Sequence, residues 1–243
     1  MTRSADTKPA RFAEAARRCG HERLHADCFD VMPTMERPAL VLTDPPYGIT
    51  RQPWDVPVKW SLWWAIVRAW KCPTLVFASP PFDKDMAATN RDHYRYDWIW
   101  EKPLATGHLN SALRPMQAHE SVLVFYEKSP TYNPQKTTGH KPVNAVYTRR
   151  TSGVYGDASN TQSARGQTDR FPRTVLQFAH ISPAQKRHPN EKPQELLRYL
   201  IRTYSNPGDL VLDPFAGSRS TGEAAVAEGR RAITVEMRGA SHG

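Results

Sequence analysis

Long apolar runs are missing from this 243-residue chain. None approaches the roughly 20 residues that a membrane-spanning helix requires, and the polar stretch 1–21 lacks the apolar centre of a signal peptide. The expected location is therefore the cytoplasm, with no membrane partner. Cysteine is scarce as well. Cys19, Cys28 and Cys72 show neither CxxC nor Cys/His spacing, which argues against a disulfide framework and leaves no metal expected. Cys72, just ahead of an apolar run, reads as a structural thiol. Phosphate loops are absent in both common forms: there is no GxGxxG, and no lysine in a Walker-type loop. A dinucleotide and a nucleoside triphosphate are thus both disfavoured. Acids, finally, are outnumbered, with 24 Asp and Glu against 33 Lys and Arg and a net charge of +9. That excess points to an anionic partner, nucleic acid first. An acidic membrane surface would need a basic amphipathic helix or a lipidation signal, and neither is present.

What the chain does carry is an alternation of strand-like and helix-like segments. Segments 40–42, 74–78, 96–100, 121–126, 210–212 and 232–235 read as strands from their apolar content, and Leu24-His25-Ala26-Asp27 as a short strand candidate ending in an acid. Residues 58–71, 82–90, 194–204 and 221–228 read as helices, and the first 20 or so residues as a loose arm or a short helix at 11–18. Strands separated by helices imply βαβ units and a mainly parallel sheet. Trp60, Trp63, Trp64 and Val67 recur at helical spacing, with Trp70 one turn on. Such a row is core more often than ligand platform, although part of it could cover a subunit interface.

One strand end is chemically loaded. The run 38–42 leads into Asp44-Pro45-Pro46-Tyr47-Gly48. A carboxylate, two rigid residues and an aromatic then sit where open α/β sheets place ligands. A proline-stiffened turn is the plainer reading of the same residues. A second loaded end follows Leu210-Val211-Leu212. It reads Asp213-Pro214-Phe215-Ala216-Gly217-Ser218, then a helix, a strand and Glu236, 19 residues after Gly217. Strand, glycine loop, helix, strand and acid is the shape of a nucleotide-type cofactor site, with the acid placed for ribose hydroxyls. Without a phosphate motif, a cofactor with a nucleoside but no phosphate fits best.

Between the two lies the segment 128–187, polar and nearly free of apolar periodicity. Ten Lys and Arg against two Asp give this segment +8 of the chain's charge. Lys136, Lys141, Arg149, Arg150, Arg165, Arg170 and Arg173 are the candidate DNA-binding cations, interleaved with Tyr132, Tyr147, Tyr155 and Phe171. That mixture suits phosphate contacts and base stacking. A solvated loop that orders on binding is the alternative.

Asp44-Pro45-Pro46-Tyr47 together with Asp213-Pro214-Phe215-Ala216-Gly217-Ser218 resembles the amino-methylating DNA methyltransferases that use S-adenosylmethionine. The order of tetrapeptide, basic segment and cofactor loop is similar to the β-group of that family. His188-Pro189-Asn190-Glu191-Lys192-Pro193, Trp100-Glu101-Lys102-Pro103, His119-Glu120 and the tail from Gly229-Arg230 to Glu236 also look like family signatures. Segments 105–110 and 132–135 look most like phage and prophage members. The resemblance implies a permuted Rossmann-like methyltransferase fold: a mainly parallel seven-stranded sheet, helices on both faces and an inserted target-recognition segment. It divides the chain into an arm (1–23), a catalytic half (24–127), the basic insertion (128–187) and a cofactor-binding half (188–243).

The implied reaction moves a methyl group to the N6 amine of a flipped adenine in double-stranded DNA, in a bacterial or phage-infected cell. Asp44 and the Pro45 carbonyl would accept the amine hydrogens, Pro46 would stiffen the loop, and Tyr47 would stack on the base. Trp54 and Phe82 are weaker candidates for the same pocket, with packing the favoured reading. Asp27, Lys192, Asp213, Phe215, Gly217, Ser218, Thr221 and Glu236 would hold the cofactor, with Asp27 near its adenine and Lys192 near its carboxylate. A homodimer and a restriction–modification setting are further family expectations. Asp in the first tetrapeptide position leans to adenine, with N4-cytosine methylation, RNA and a catalytically impaired DNA-binding relative as alternatives. One departure stands out: Arg219 occupies the place of the family's second glycine.

Overall fold

The computed structural model describes residues 20–48, 52, 55–148, 161–179 and 191–237. The helix expected at 11–18, together with Trp54, Arg149, Arg150, Tyr155 and 188–190 of the signature ahead of Lys192, lies outside them. Ten strands and five α-helices are described. In chain order they are β1 (His21–His25), α1 (Cys28–Val31), β2 (Leu40–Thr43), α2 (Trp60–Trp70), β3 (Thr74–Ala78), α3 (Phe82–Thr89), β4 (Tyr94–Thr106), β5 (Gln117–Phe125), β6 (Val146–Thr148), β7 (Thr161–Ser163), β8 (Val175–Gln177), α4 (Gln194–Tyr204), β9 (Leu210–Asp213), α5 (Ser220–Ala227) and β10 (Arg231–Glu236).

Eight of these strands form one sheet in the order β1-β10-β9-β2-β3-β5-β4-β8. β5 pairs antiparallel with both neighbours, and every other pairing is parallel. The sheet thus has one strand more than expected. The addition is β8, three residues of which only Leu176 is buried, too short for any periodicity to show. β4 also runs to Thr106, well past the Trp100 expected as its end. Its distal half is largely exposed and so carries no apolar pattern. β1 likewise starts earlier, at His21.

Both faces are covered, because the strands alternate their apolar side chains. Val41, Val76, Ala78, Leu123 and Phe125 point to one face and pack with Trp63, Trp64, Val67, Phe82 and Met86 of α2 and α3. Leu40, Leu42, Leu75, Phe77, Val122 and Val124 point to the other and pack with Leu196, Leu197, Leu200, Ile201 and Tyr204 of α4 and Ala224 and Ala225 of α5. The tryptophans of α2 are therefore core, with Trp60 at its margin. Tyr204 adds polar anchorage, since its hydroxyl accepts from Trp98 Nε1 at 2.7 Å and shares a hydrogen with Tyr96 at 2.7 Å. Cys28 and Cys72 are both buried, and burial pushes each thiol up to about 12, so neither is a nucleophile at neutral pH. Residues Pro134–Arg173 form a compact unit of their own, holding the β6–β7 pair and isolated bridges at Thr137–Arg170 and Val143–Gln167. The segment expected to be structureless thus has a backbone scaffold built from short pairings.

Candidate active site

Chain order and sheet order together locate the site. From β9 the chain moves outward to β10, and from β2 it moves the opposite way to β3. The boundary between β2 and β9 is therefore a topological switch point, where the connections diverge and leave a crevice at the carboxyl ends of the strands. Asp44 follows the last residue of β2, Asp213 closes β9, Glu236 closes β10 and Asp27 lies just beyond β1. The structure so lines up the acids of both loaded strand ends on one edge. Across the crevice, Thr43 Oγ1 donates to Asp213 Oδ1 at 2.7 Å and ties the two motifs together.

Asp44 is held from two sides. Tyr47 Oη donates to its Oδ1 at 2.9 Å, and Lys192 Nζ lies 2.8 Å from its Oδ2. Lys192 also faces Glu120 Oε2 at 3.0 Å, and Lys102 Nζ lies 2.8 Å from Glu120 Oε1. The result is a chain of alternating charges, Lys102–Glu120–Lys192–Asp44, with its first three side chains mostly buried. Burial works against the Glu120 carboxylate, but Lys192 and Lys102 outweigh it and take its pKa down to about 2. Burial likewise opposes the Lys192 cation, and Asp44 and Glu120 outweigh it to hold the ammonium above the ordinary lysine value. Lys192 also sits 5.1 Å over the Phe77 ring. The ammonium expected beside the cofactor carboxylate is thus engaged by Asp44 and Glu120, because the fold brings the start of α4 under the end of β2.

Tyr47 stacks on Phe82, with ring centroids 4.4 Å apart at 18°. Burial, then Asp44 and Glu120, raise its phenol well above the ordinary value, so it stays a donor at working pH. The loop is pinned beyond the tyrosine, where Gly48 N–H donates to Asp55 Oδ1 at 2.7 Å. Phe82 is mostly buried and backs Tyr47, in keeping with the packing role favoured for it.

The second loop is built for close backbone approach. Gly217 adopts φ +42 and a Cβ there would meet nothing within 4 Å, so the loop surface is open at this point. Its N–H donates to Glu236 Oε2 at 2.6 Å, which joins the two residues expected on the cofactor. Asp213 is fully enclosed. Burial raises its carboxyl to about 6, opposed by hydrogen bonds from Thr43, Thr221 and the Phe215 N–H. Phe215 and Ser218 are partly exposed beside them. Asp27 spends Oδ1 on the N–H of Phe29 at 2.9 Å, capping α1, while Ala26 N–H bonds the Glu236 carbonyl at 3.0 Å. The family's second glycine is explained by the backbone: Arg219 sits at φ +65, a left-handed conformation that costs a non-glycine residue about 1–2 kcal/mol. Its charge, after burial and Arg23, contributes to lowering the pKa of His21.

Within the basic unit the cations differ in availability. Arg170 donates to the carbonyls of Gln167 and Asp169 at 2.9 Å each and to that of Lys141, so it holds the backbone together. Lys136 pairs with Asp169 at 2.6 Å and lies 4.4 Å over the Phe171 ring. Lys141, Arg165 and Arg173 are exposed. Among the described residues no group of three His, Cys, Asp or Glu could hold a metal ion, and no helix is long and apolar enough to cross a membrane.

Sequence reasoning gave no role to Glu120 or Lys102, although both lie in segments that look like family signatures. Glu120 sits in the polar half of β5, Gln117-Ala118-His119-Glu120-Ser121, where one more acid carries no distinguishing pattern.

A mostly parallel sheet with one reversed strand, a carboxylate–proline–proline–tyrosine loop at the switch point and a glycine loop beside it define a Rossmann-like methyltransferase fold. The chain belongs to the N6/N4 DNA methylase family, whose model matches residues 39–240. Relatives include the DNA adenine methyltransferase YhdJ of Escherichia coli K12, 44% identical over 78 residues, 32% of this chain and 25% of that protein. The chain thus spans about a quarter of that relative's length. The type II methyltransferase M1.MboII of Moraxella bovis is 25% identical over 87% of this chain and 89% of its own. Two solved structures share the fold. M1.HpyAVI in complex with SAM has a TM-score of 0.59 at 23% identity, covering 90% of this chain and 94% of that one. The cytosine-N4-specific PvuII DNA methyltransferase has a TM-score of 0.60 at 17% identity, covering 90% and 84%.

Proposed function

We propose that the protein transfers the methyl group of S-adenosylmethionine to the N6 amine of an adenine in duplex DNA. The observation that carries this reading is the Asp44 carboxylate, held at the switch point by Tyr47 and Lys192 beside the Asp213–Gly217 loop. The bound cofactor supplies an activated methyl group. Its nucleoside suits the row of Glu236, Asp213 and the open backbone at Gly217, and Asp27 and Thr221 complete that side.

An exocyclic amine is a poor nucleophile, because its lone pair is delocalised into the ring. Acceptors for both amine hydrogens favour a pyramidal nitrogen with a localised pair. A carboxylate has about four lone-pair positions, and Tyr47 and Lys192 take one on each oxygen, so Asp44 keeps capacity for an amine hydrogen. The Pro45 carbonyl is the second acceptor, on a segment that two prolines stiffen. Acceptors already aimed before the reaction contribute through preorganisation, and in-line placement of the amine contributes through proximity. The base reaches Asp44 only by leaving the duplex, with Tyr47, backed by Phe82, as its stacking partner.

The unit 134–173 serves as the target-recognition element in this reading. Replacing Arg165 and Arg173 with alanine is expected to weaken DNA binding and to reduce the slope of log K against log salt by about one for each phosphate no longer neutralised. An unchanged slope would place these arginines off the DNA. N4-cytosine methylation is the second reading, favoured by the PvuII enzyme among the fold's neighbours, whereas YhdJ is named as an adenine methyltransferase. Incubation with labelled S-adenosylmethionine and unmethylated DNA, then digestion to nucleosides, decides between them. N6-methyladenine is expected; N4-methylcytosine would install the second reading, and no labelled base would overturn both.

A further inference from the structure

The β4–β5 hairpin carries a surface that the site described above does not use. β4 continues past the buried Trp100 to Thr106, and β5 begins at Gln117. Between Leu104 and Met116 lie four large apolar side chains left in water: Leu104 at 70% exposure, Leu109 at 88%, Leu113 at 86% and Met116 at 40%. Exposed apolar surface gathered into one short segment marks an interaction site more often than chance. The same segment has no carboxylate anywhere between Lys102 and His119, while His108 and Arg114 supply basic groups. Its charge suits a polyanion.

Topology sets where this surface stands. β5 runs antiparallel to β3 and β4, and β4 runs with the parallel strands. The end of β4 and the start of β5 therefore lie at the carboxyl edge, which also bears Asp44, Asp213 and Glu236. The hairpin stems join the catalytic cluster directly, because Lys102 of β4 pairs with Glu120 of β5 and Glu120 holds the Lys192 that bonds Asp44. Only three residue steps, about 10 Å of strand, separate Glu120 from Gln117. A base drawn to Asp44 therefore turns out at the same edge of the sheet that bears this hairpin.

We propose that the hairpin is a wedge that enters the DNA duplex beside the target base, its leucines covering the stacking surface that the base gives up as it turns out toward Asp44. The inference rests on the DNA methyl-transfer reading. Apolar side chains pushed between base steps are an established way for proteins to unstack DNA, and the two stems clamp the wedge to the carboxylate that receives the base.

The test is the double variant Leu109→Ser/Leu113→Ser, both positions exposed, so that folding can be confirmed by an unchanged melting temperature. The methylated site is first mapped by sequencing DNA treated with the wild-type protein. Two duplexes with that site are then compared, one fully paired and one with a mismatch opposite the target base, which lowers the cost of extrusion. The expected result is at least a tenfold loss of kcat/KM on the paired duplex and less than a threefold loss on the mismatched one. Equal losses on both, or no loss on either, would overturn the wedge. So would a change in sedimentation of the variant, which would assign the leucines to contact with a second copy of the chain. A wild-type protein inactive on all DNA would instead remove the methyl-transfer reading, and the wedge with it.

Discussion

Asp44→Ala is expected to lower methyl transfer by a factor of at least about 10²–10³, the scale found for removal of one preorganised electrostatic partner. Binding of S-adenosylmethionine, followed by calorimetry, should stay within severalfold of wild type. The reasoning is geometric. Asp44 touches Tyr47 and Lys192, whereas the cofactor loop is held by Asp213 with Thr43, Thr221 and the Phe215 N–H, and by Glu236 with the Gly217 N–H. Truncating Asp44 removes the acceptor for the amine and leaves those bonds in place. Lys192 still has Glu120, so the fold should survive. Turnover within tenfold of wild type would mean that the carboxylate is not the acceptor, and abolished cofactor binding would move Asp44 to the cofactor side.

Lys192→Met should cost about 3–5 kcal/mol of stability, the usual penalty for removing one member of a buried ion pair. For a chain of this size that is a fall in melting temperature of roughly 10 °C. Its pH dependence separates this from a simple packing defect. Glu120 has a folded pKa lowered to about 2 from 4.5, so it adds stability above pH 4.5 that is lost as pH falls toward 2. Lys192 has a folded pKa raised above 10.5, so its contribution is present below 10.5 and lost as pH rises beyond it. The gap between wild type and variant should then be widest from about pH 5 to 10 and shrink at both ends. Parallel melting curves across that range would show that the charge chain does not carry the stability.

The two motifs were legible because each is local. Prolines, an acid and an aromatic after an apolar run announce a loaded strand end, and Gly217 followed by Glu236 announces a glycine loop with an acid at the next strand end. The strand Thr74–Ala78 and the helix Gln194–Tyr204 were readable to the residue, since both have strong apolar patterns bounded by breakers. β8 was not, because a single buried leucine makes no period. Arg170 looked like its neighbours in sequence, yet its guanidinium bonds three backbone carbonyls. Nothing local distinguishes a cation that faces a polyanion from one that closes a turn.

By itself the sequence determined the family resemblance, the places of the two loops at strand ends and the basic character of the segment between them. These depend on side-chain chemistry and on short-range patterns, which every residue carries with it. Tertiary structure alone decided that β2 lies beside β9, so that Thr43 meets Asp213 and the two loops share one crevice. It alone set Lys192 between Glu120 and Asp44, and it raised a hairpin of exposed leucines on the same edge. Those outcomes rest on which distant strands pair and on which charges are buried together. Both are long-range energies, with no signature in any window of the chain.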